Sequence, residues 1–318
     1  MLLGTILTFA GLLLLYYGAE YLVTGSSRLA LSFGIRPLVI GLTVVAFATS
    51  MPELMVSMME AVKGSSSMAA GNIIGSNIAN VCLILGAAAL VSPLVVARKT
   101  LWREIPMMVA ASLAAYLMSL DGEIGFTNGL VLFMSLLAFL GYCIKTARGP
   151  VGLDAVETIE KTVVDEASLR GRSLVLILLG IVGLGVGAEL MVRGAVMIAT
   201  LLGVSELIIG LTVVALGTSL PELAASMMSA SKGEMDMSVG NVIGSNIFNV
   251  LFVLGICPMI RPLQIESRIL SIDFPVMLLI FGFLILLLCL AKPRLTLGLW
   301  RGMMLLAAYG VFTASLFL

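Results

Sequence analysis

Residues 41–53 read Gly41-Leu-Thr-Val-Val-Ala-Phe-Ala-Thr-Ser-Met-Pro-Glu53, and residues 210–222 read Gly210-Leu-Thr-Val-Val-Ala-Leu-Gly-Thr-Ser-Leu-Pro-Glu222. The likeness extends well past the two stretches. At a shift of 169 residues, 41–86 lies over 210–255 with 29 identities in 46 positions. Upstream, Gly18-Ala19-Glu20 falls on Gly187-Ala188-Glu189, and downstream Pro93 falls on Pro262. A repeat of this length divides the chain into homologous halves. We place them at 1–147 and 173–318, joined by a polar linker at 148–172.

The 318 residues are 60% hydrophobic and only 11% charged, with a mean hydropathy of +1.15. Soluble domains carry roughly 25% charged residues. The stretches 1–17, 124–144, 173–187, 275–291 and 297–318 are almost free of charge. With their flanks they are long enough to cross a hydrocarbon layer of about 30 Å. They do not alternate polar and apolar residues as barrel strands do. The expected fold is therefore an all-α polytopic membrane protein. Spans are expected near 2–30, 37–62, 66–90, 104–120 and 124–146, and again near 173–199, 206–231, 236–260, 271–291 and 296–317. An odd number of spans per repeat inserts the second copy upside down, giving ten transmembrane helices as two inverted five-helix repeats. With the amino terminus outside, 14 of the 18 Lys and Arg residues fall on inner loops and 4 on outer ones. Cytoplasmic loops are enriched in Lys and Arg. The bias predicts a multi-pass protein of the cell (inner or plasma) membrane with both termini outside.

Zero net charge gives no reason to expect a nucleic-acid partner. Histidine is absent, which removes His-ligated metals, Ser–His dyads and His proton relays. No enzyme is expected. Cys82, Cys143, Cys257 and Cys289 lie in apolar segments without a CxxC pair and read as small core residues. The start Met1-Leu-Leu-Gly-Thr lacks a basic region and reads as a first helix, not a cleaved signal.

The candidate chemistry lies in the two opening stretches. A carboxylate inside a span is expensive and normally faces a partner, a cavity or an ion. Proline has no N–H for the carbonyl four residues earlier, so Pro52 frees that of Ala48 and Pro221 that of Gly217. Thr49 and Glu53 share a helix face, as do Thr218 and Glu222. Each site gathers a carboxylate, hydroxyls and loose carbonyls, hard oxygen ligands suited to Ca²⁺ or Na⁺. A single copy could be a proline-kinked helix with an interfacial Glu. Two copies in an inverted repeat instead place two kinks face to face at the midplane, where transporter sites lie.

A second pattern follows each kink: Gly71-Asn-Ile-Ile-Gly-Ser-Asn-Ile-Ala-Asn80 and Gly240-Asn-Val-Ile-Gly-Ser-Asn-Ile-Phe-Asn249. Asn72, Ser76 and Asn80 recur every four residues, as do Asn241, Ser245 and Asn249. The GxxxG spacing lets backbones approach closely. Asn72, Asn77, Asn241 and Asn246 are either glue between helices or ligands. Ser76, Asn80, Ser245 and Asn249 are expected ligands. Glu20 and Glu189 are expected to be structural or gate-lining, Glu60, Glu104, Asp121, Glu123 and Asp273 interfacial, and the linker acids solvated. The 20 methionines read as pliable packing.

These paired segments resemble the two α-repeats of the cation/Ca²⁺ exchanger superfamily, closest to its prokaryotic sodium/calcium exchanger branch. The resemblance covers essentially the whole chain. It implies that Glu53 and Glu222 are the central acids, that Thr49, Ser50, Thr218, Ser219, Ser76 and Ser245 supply hydroxyls, that Ala46 and Ala215 supply backbone carbonyls, and that Asn80 is the central amide. There are two departures. Ala48 stands where its twin keeps Gly217, and Asn249 stands where several sodium/calcium exchangers have aspartate, leaving two central acids and not three.

The expected function is secondary antiport of Ca²⁺ against Na⁺ through one shared midplane site, with no cofactor besides the transported ions. The expected partners are Ca²⁺, Na⁺ and the lipid bilayer, and the chain is expected to act as a monomer. The long first spans of each half, with Gly11, Gly18 and Gly25 on one and Gly180, Gly183, Gly185 and Gly187 on the other, are the expected moving pair. The rivals are a proton/Ca²⁺ exchanger of the same fold and a passive cation channel.

Overall fold

The computed structural model describes residues 1–147, 166–204, 215–291 and 294–316. Most of the expected linker and the stretch 210–214 lie outside the described residues. The described residues are mainly helical, as a backbone must be where no water can satisfy it. Helix α1 (Leu2–Phe33) ends at Gly34, whose φ of 62° is left-handed. Then come α2 (Pro37–Thr49), α3 (Met51–Lys63), α4 (Ser66–Val91), the short α5 (Arg98–Trp102), α6 (Glu104–Met118) and α7 (Phe126–Thr146). The second half supplies α8 (Glu166–Leu201), α9 (Ala215–Gly217), α10 (Leu220–Ser231), α11 (Met235–Ile260), α12 (Ile269–Cys289) and α13 (Leu299–Ser315).

Among the described residues, six helices are long and apolar enough to cross a membrane, and α2 with α3, bent by 43° at their break, make a seventh. The expected spans at 104–120 and 296–317 hold helices of 15 and 17 residues, shorter than the roughly 20 that a straight crossing takes. The expected span 206–231 is described only from Ala215 on.

Burial separates a core from a periphery. In the apolar stretches of α4 and α11, 78% of residues are buried, against 28% in α1 and α8. The peripheral pair α1 and α8 runs antiparallel along a seam of small residues spaced by seven. Gly4 meets Gly194, Gly11 meets Gly187, Gly18 meets Gly180 and Gly183, and Gly25 meets Ser173. A Cβ on Gly11 would stand 2.5 Å from the Met191 nitrogen and 2.7 Å from the Gly187 carbonyl oxygen. Only glycine permits that approach, and in lipid such packing replaces the hydrophobic effect as the force between helices. The seam adds Gly4 and Gly194 to the expected set, while Gly185 is exposed and faces away.

Two short antiparallel ribbons tie the halves together. β1 (Leu94–Val95) pairs with β4 (Thr296–Leu297), and β2 (Glu123–Ile124) pairs with β3 (Leu263–Gln264). Leu94 and Leu263 are repeat equivalents, so each half lends the same strand to the other half's last helix. The ribbons continue through Val96 N–H to Leu295 O and Ile265 N–H to Gly122 O, both at 2.8 Å.

Candidate ion-binding site

The breaks that create the site fall at Ser50 and Ser219. Their φ,ψ values, −79°,2° and −87°,2°, leave the helical region, and Pro52 and Pro221 follow within the first turn of α3 and α10. A proline cannot accept the preceding turn's geometry, so the helix restarts in a new direction. The restart puts Glu53 and Glu222 in the first turn of their helices, where helix dipoles favour negative charge. Both carboxylates are completely buried.

The acids are held crosswise. Ser50 Oγ donates to Glu222 Oε1 at 3.3 Å, and Ser219 Oγ donates to Glu53 Oε1, also at 3.3 Å. The remaining oxygens, Glu53 Oε2 and Glu222 Oε2, have no protein hydrogen-bond partner. Neither do the amide O and N of Asn80 and Asn249, two more fully buried residues. Buried polar atoms are nearly always satisfied, and each exception asks for a cause. Here Glu53 with Glu222, and Asn80 with Asn249, are two repeat-related pairs of such exceptions.

Local helix geometry reinforces the pattern. A π-helical turn starts at each of these asparagines, Asn80–Ile84 in α4 and Asn249–Val253 in α11. Such turns widen a helix by one residue and recur at functional sites. A third covers Gly41–Val45, leading into Ala46. The GxxxG face of α11 packs against this part of α2: a Cβ on Gly244 would lie 2.7 Å from both Leu42 O and Ala46 Cβ.

The sequence-derived candidates fall as follows. Thr49, Ser50, Thr218, Ser219, Ser76 and Ser245 are all buried. The single Thr49 hydroxyl proton has Asn241 Oδ1 at 3.2 Å and Ala46 O at 3.3 Å as alternative acceptors, with Ser245 Oγ at 3.4 Å. The Ala46 carbonyl also accepts the Ser50 N–H at 3.0 Å. Its repeat equivalent Ala215 opens α9. Thr218 Oγ1, unlike Thr49, has no partner.

The asparagines whose role was open now separate. Asn72 Nδ2 reaches Ser57 Oγ at 2.9 Å and Glu53 O at 3.5 Å, and Asn241 Nδ2 reaches Ser226 Oγ at 2.9 Å and Glu222 O at 3.4 Å. These two clamp each acid-bearing helix to its polar-striped neighbour. Asn77 points to Met277 Sδ and Asn246 to Val242 O, away from the acids. Ser57 and Ser226 escaped the reading of the sequence. The signal was present, since each follows its Glu by four residues at repeat-equivalent positions.

Glu104 opens α6, at a helix end as expected, yet it is only 2% exposed, and Tyr142 Oη donates to it at 3.1 Å. The first turn of α6 tucks beneath α7, which sequence spacing did not reveal. Glu123, by contrast, is partly exposed and bonds Gln264 across its ribbon.

A bundle of apolar helices enclosing two crossed carboxylates defines a membrane transporter of hard cations. The profile of the sodium/calcium exchanger protein family matches residues 3–145 and 172–318. The chain belongs to this family and is a cation/Ca²⁺ exchanger of its prokaryotic branch. It is 38% identical to the inner membrane protein YrbG of Escherichia coli (strain K12), over 100% of this chain and 98% of that one. It is 29% identical to the sodium/calcium exchanger MaX1 of Methanosarcina acetivorans, over 96% of each. The solved structure of the sodium-calcium exchanger NCX_Mj, soaked with 10 mM Na⁺ and zero Ca²⁺, superposes with a TM-score of 0.85 at 35% identity, covering 99% of both chains.

Proposed function

We propose that this protein exchanges Ca²⁺ for Na⁺ by alternating access at one midplane site. The observation that carries the reading is the crossed pair Ser50–Glu222 and Ser219–Glu53, with one unpartnered oxygen on each acid. Two carboxylates neutralise one Ca²⁺, which takes six to eight oxygen ligands at about 2.3–2.6 Å. Glu53, Glu222, Thr49, Ser50, Thr218, Ser219, Ser76, Asn80, Ser245, Asn249 and the carbonyls of Ala46 and Ala215 are the proposed ligand set. Na⁺ drawing on the same carboxylates and hydroxyls excludes Ca²⁺, and exchange follows from competition. The similarity to MaX1 and NCX_Mj, both sodium/calcium exchangers, supports the choice of Na⁺.

The architecture we propose is ten spans in two inverted five-helix repeats, 1–147 and 173–318, around the linker 148–172. The reciprocal ribbons support the inversion, and the asymmetry of Lys and Arg supports external termini. The Escherichia coli relative's description as an inner membrane protein supports the cell membrane as its location. Ca²⁺ uptake into inside-out vesicles, under an imposed Na⁺ gradient or an imposed pH gradient, tests the function. Uptake driven by Na⁺ and competed by it is expected. Uptake that follows only the pH gradient would replace this reading by proton/Ca²⁺ exchange, and uptake needing neither gradient would make the protein a channel.

A further inference from the structure

We propose that α1 is fastened to the turn between α10 and α11, that this fastening closes one mouth of the ion site, and that its repeat counterpart at the other mouth is weaker by construction. The inference rests on the reading above that α1 and α8 move against the core.

Lys232 Nζ donates to Thr24 Oγ1 at 2.7 Å and stands 3.5 Å from Glu20 Oε1. Two residues on, Glu234 Oε1 accepts the Ser27 hydroxyl at 2.5 Å. Glu20, Thr24 and Ser27 are spaced by four and three, one face of α1. The repeat places Glu189, Arg193 and Val196 at the equivalent positions of α8, and Lys63 and Ser65 in the equivalent turn after α3. There the same charges look inward to their own helices. Arg193 holds Glu189 at 2.5 Å, and Lys63 holds Glu60 at 2.9 Å. Valine has no hydroxyl and Ser65 no carboxylate, so the Ser27–Glu234 bond has no counterpart. Among the described residues, one end of the molecule carries this fastening, and the equivalent positions at the other end are chemically poorer.

The fastened face covers a polar strip leading from the site. Ser226 and Ser229 follow Glu222 at four and seven residues along α10, and both are fully buried. α1 packs along α10 and contributes Ser26, also fully buried. The hydroxyls of Ser26 and Ser229 have no protein partner. Buried hydroxyls without partners are costly, and displacement of α1 would let water reach them and connect Glu222 with the Lys232 end. Lys232 and Glu20 are about one-third exposed, so their ion pair is screened and weak. Alternating access needs only a weak bias, because both states must be reached in every cycle.

The test introduces Ser229→Cys into the full-length chain in sealed vesicles and follows its modification by an impermeant maleimide from the Lys232 side. The chain without the added cysteine supplies the background from Cys82, Cys143, Cys257 and Cys289. Adding Glu20→Gln, Ser27→Ala and Glu234→Gln together should raise the labelling rate roughly three- to tenfold. The charge swap Glu20→Lys with Lys232→Glu should stay within about twofold of the unaltered background. Unchanged labelling in the triple variant, with the protein still monodisperse in detergent, overturns the fastening. So does a swap that labels as fast as the triple variant. Failure of the wild type to couple Ca²⁺ to Na⁺ would sink the exchange reading alone, because the labelling comparison needs no transport.

Discussion

Ser50 and Glu222 lie 172 positions apart, yet the serine hydroxyl donates to the carboxylate Oε1 at 3.3 Å. The bond crosses from one half of the chain to the other, and Ser219 returns it to Glu53 at the same distance. Each acid is thus oriented by the helix break of the opposite half. Its second oxygen has no protein hydrogen-bond partner.

The first prediction concerns the acids. Glu53→Gln and Glu222→Gln keep size and hydrogen-bonding capacity but remove the charge that offsets Ca²⁺. Each should abolish Ca²⁺ flux in vesicles while the protein still reaches the membrane. Near-normal flux in either variant would remove the acids from the site.

The crossed serines should act on affinity more than on assembly. Removing one buried hydrogen bond to a charged group costs about 1.5–3 kcal/mol. Ser50→Ala or Ser219→Ala should therefore weaken half-maximal Ca²⁺ activation by roughly 10- to 150-fold. The symmetry of the pair predicts similar losses for the two. Concentration dependence of flux checks this, and a tenfold disparity between them would contradict the crossed arrangement.

In the proposed site, Asn249 makes the centre two Glu and two Asn. An amide does not titrate near neutral pH. Asn249→Asp adds a carboxyl beside two others, and like charges in one site raise each other's proton affinity. Protons should then compete with Ca²⁺ as pH falls, so flux in the variant should decline at a higher pH than in wild type. Superimposable pH profiles with full activity would place Asn249 outside the site.

The glycine seam makes a structural prediction. A Cβ on Gly18 would lie 2.7 Å from the Leu184 nitrogen, and the neighbour is backbone, which cannot rotate away. Overpacking of this kind costs about 1–3 kcal/mol. Gly18→Ala should lower the melting temperature in detergent, whereas Gly185→Ala, at an exposed position, should leave it unchanged.

Orientation has its own check. Lys63 and Lys99 are exposed at opposite ends of the molecule. Lys63→Cys should react with an impermeant thiol reagent applied outside intact cells, and Lys99→Cys only after the membrane is opened. The reverse pattern would invert the proposed topology.

The sequence by itself determined the membrane class, the duplication and the two acid motifs. Each rests on information carried along the chain: runs of apolar residues long enough for a bilayer, identity at a fixed shift, and a proline beside a carboxylate. It also singled out glycines on α1 and α8, because glycine in an apolar span permits close helix contact. The tertiary structure alone decided which atoms meet. No spacing rule could pair Ser50 with Glu222, send Asn72 to Ser57 and Asn77 elsewhere, or bury Glu104 under Tyr142, because those contacts depend on how separate helices are rotated and shifted against one another. The asymmetry at Lys232 and Lys63 has the same origin. The two lysines are repeat equivalents; the sequence shows that their neighbours differ, and the packing of α1 against one turn shows which of those neighbours each lysine meets.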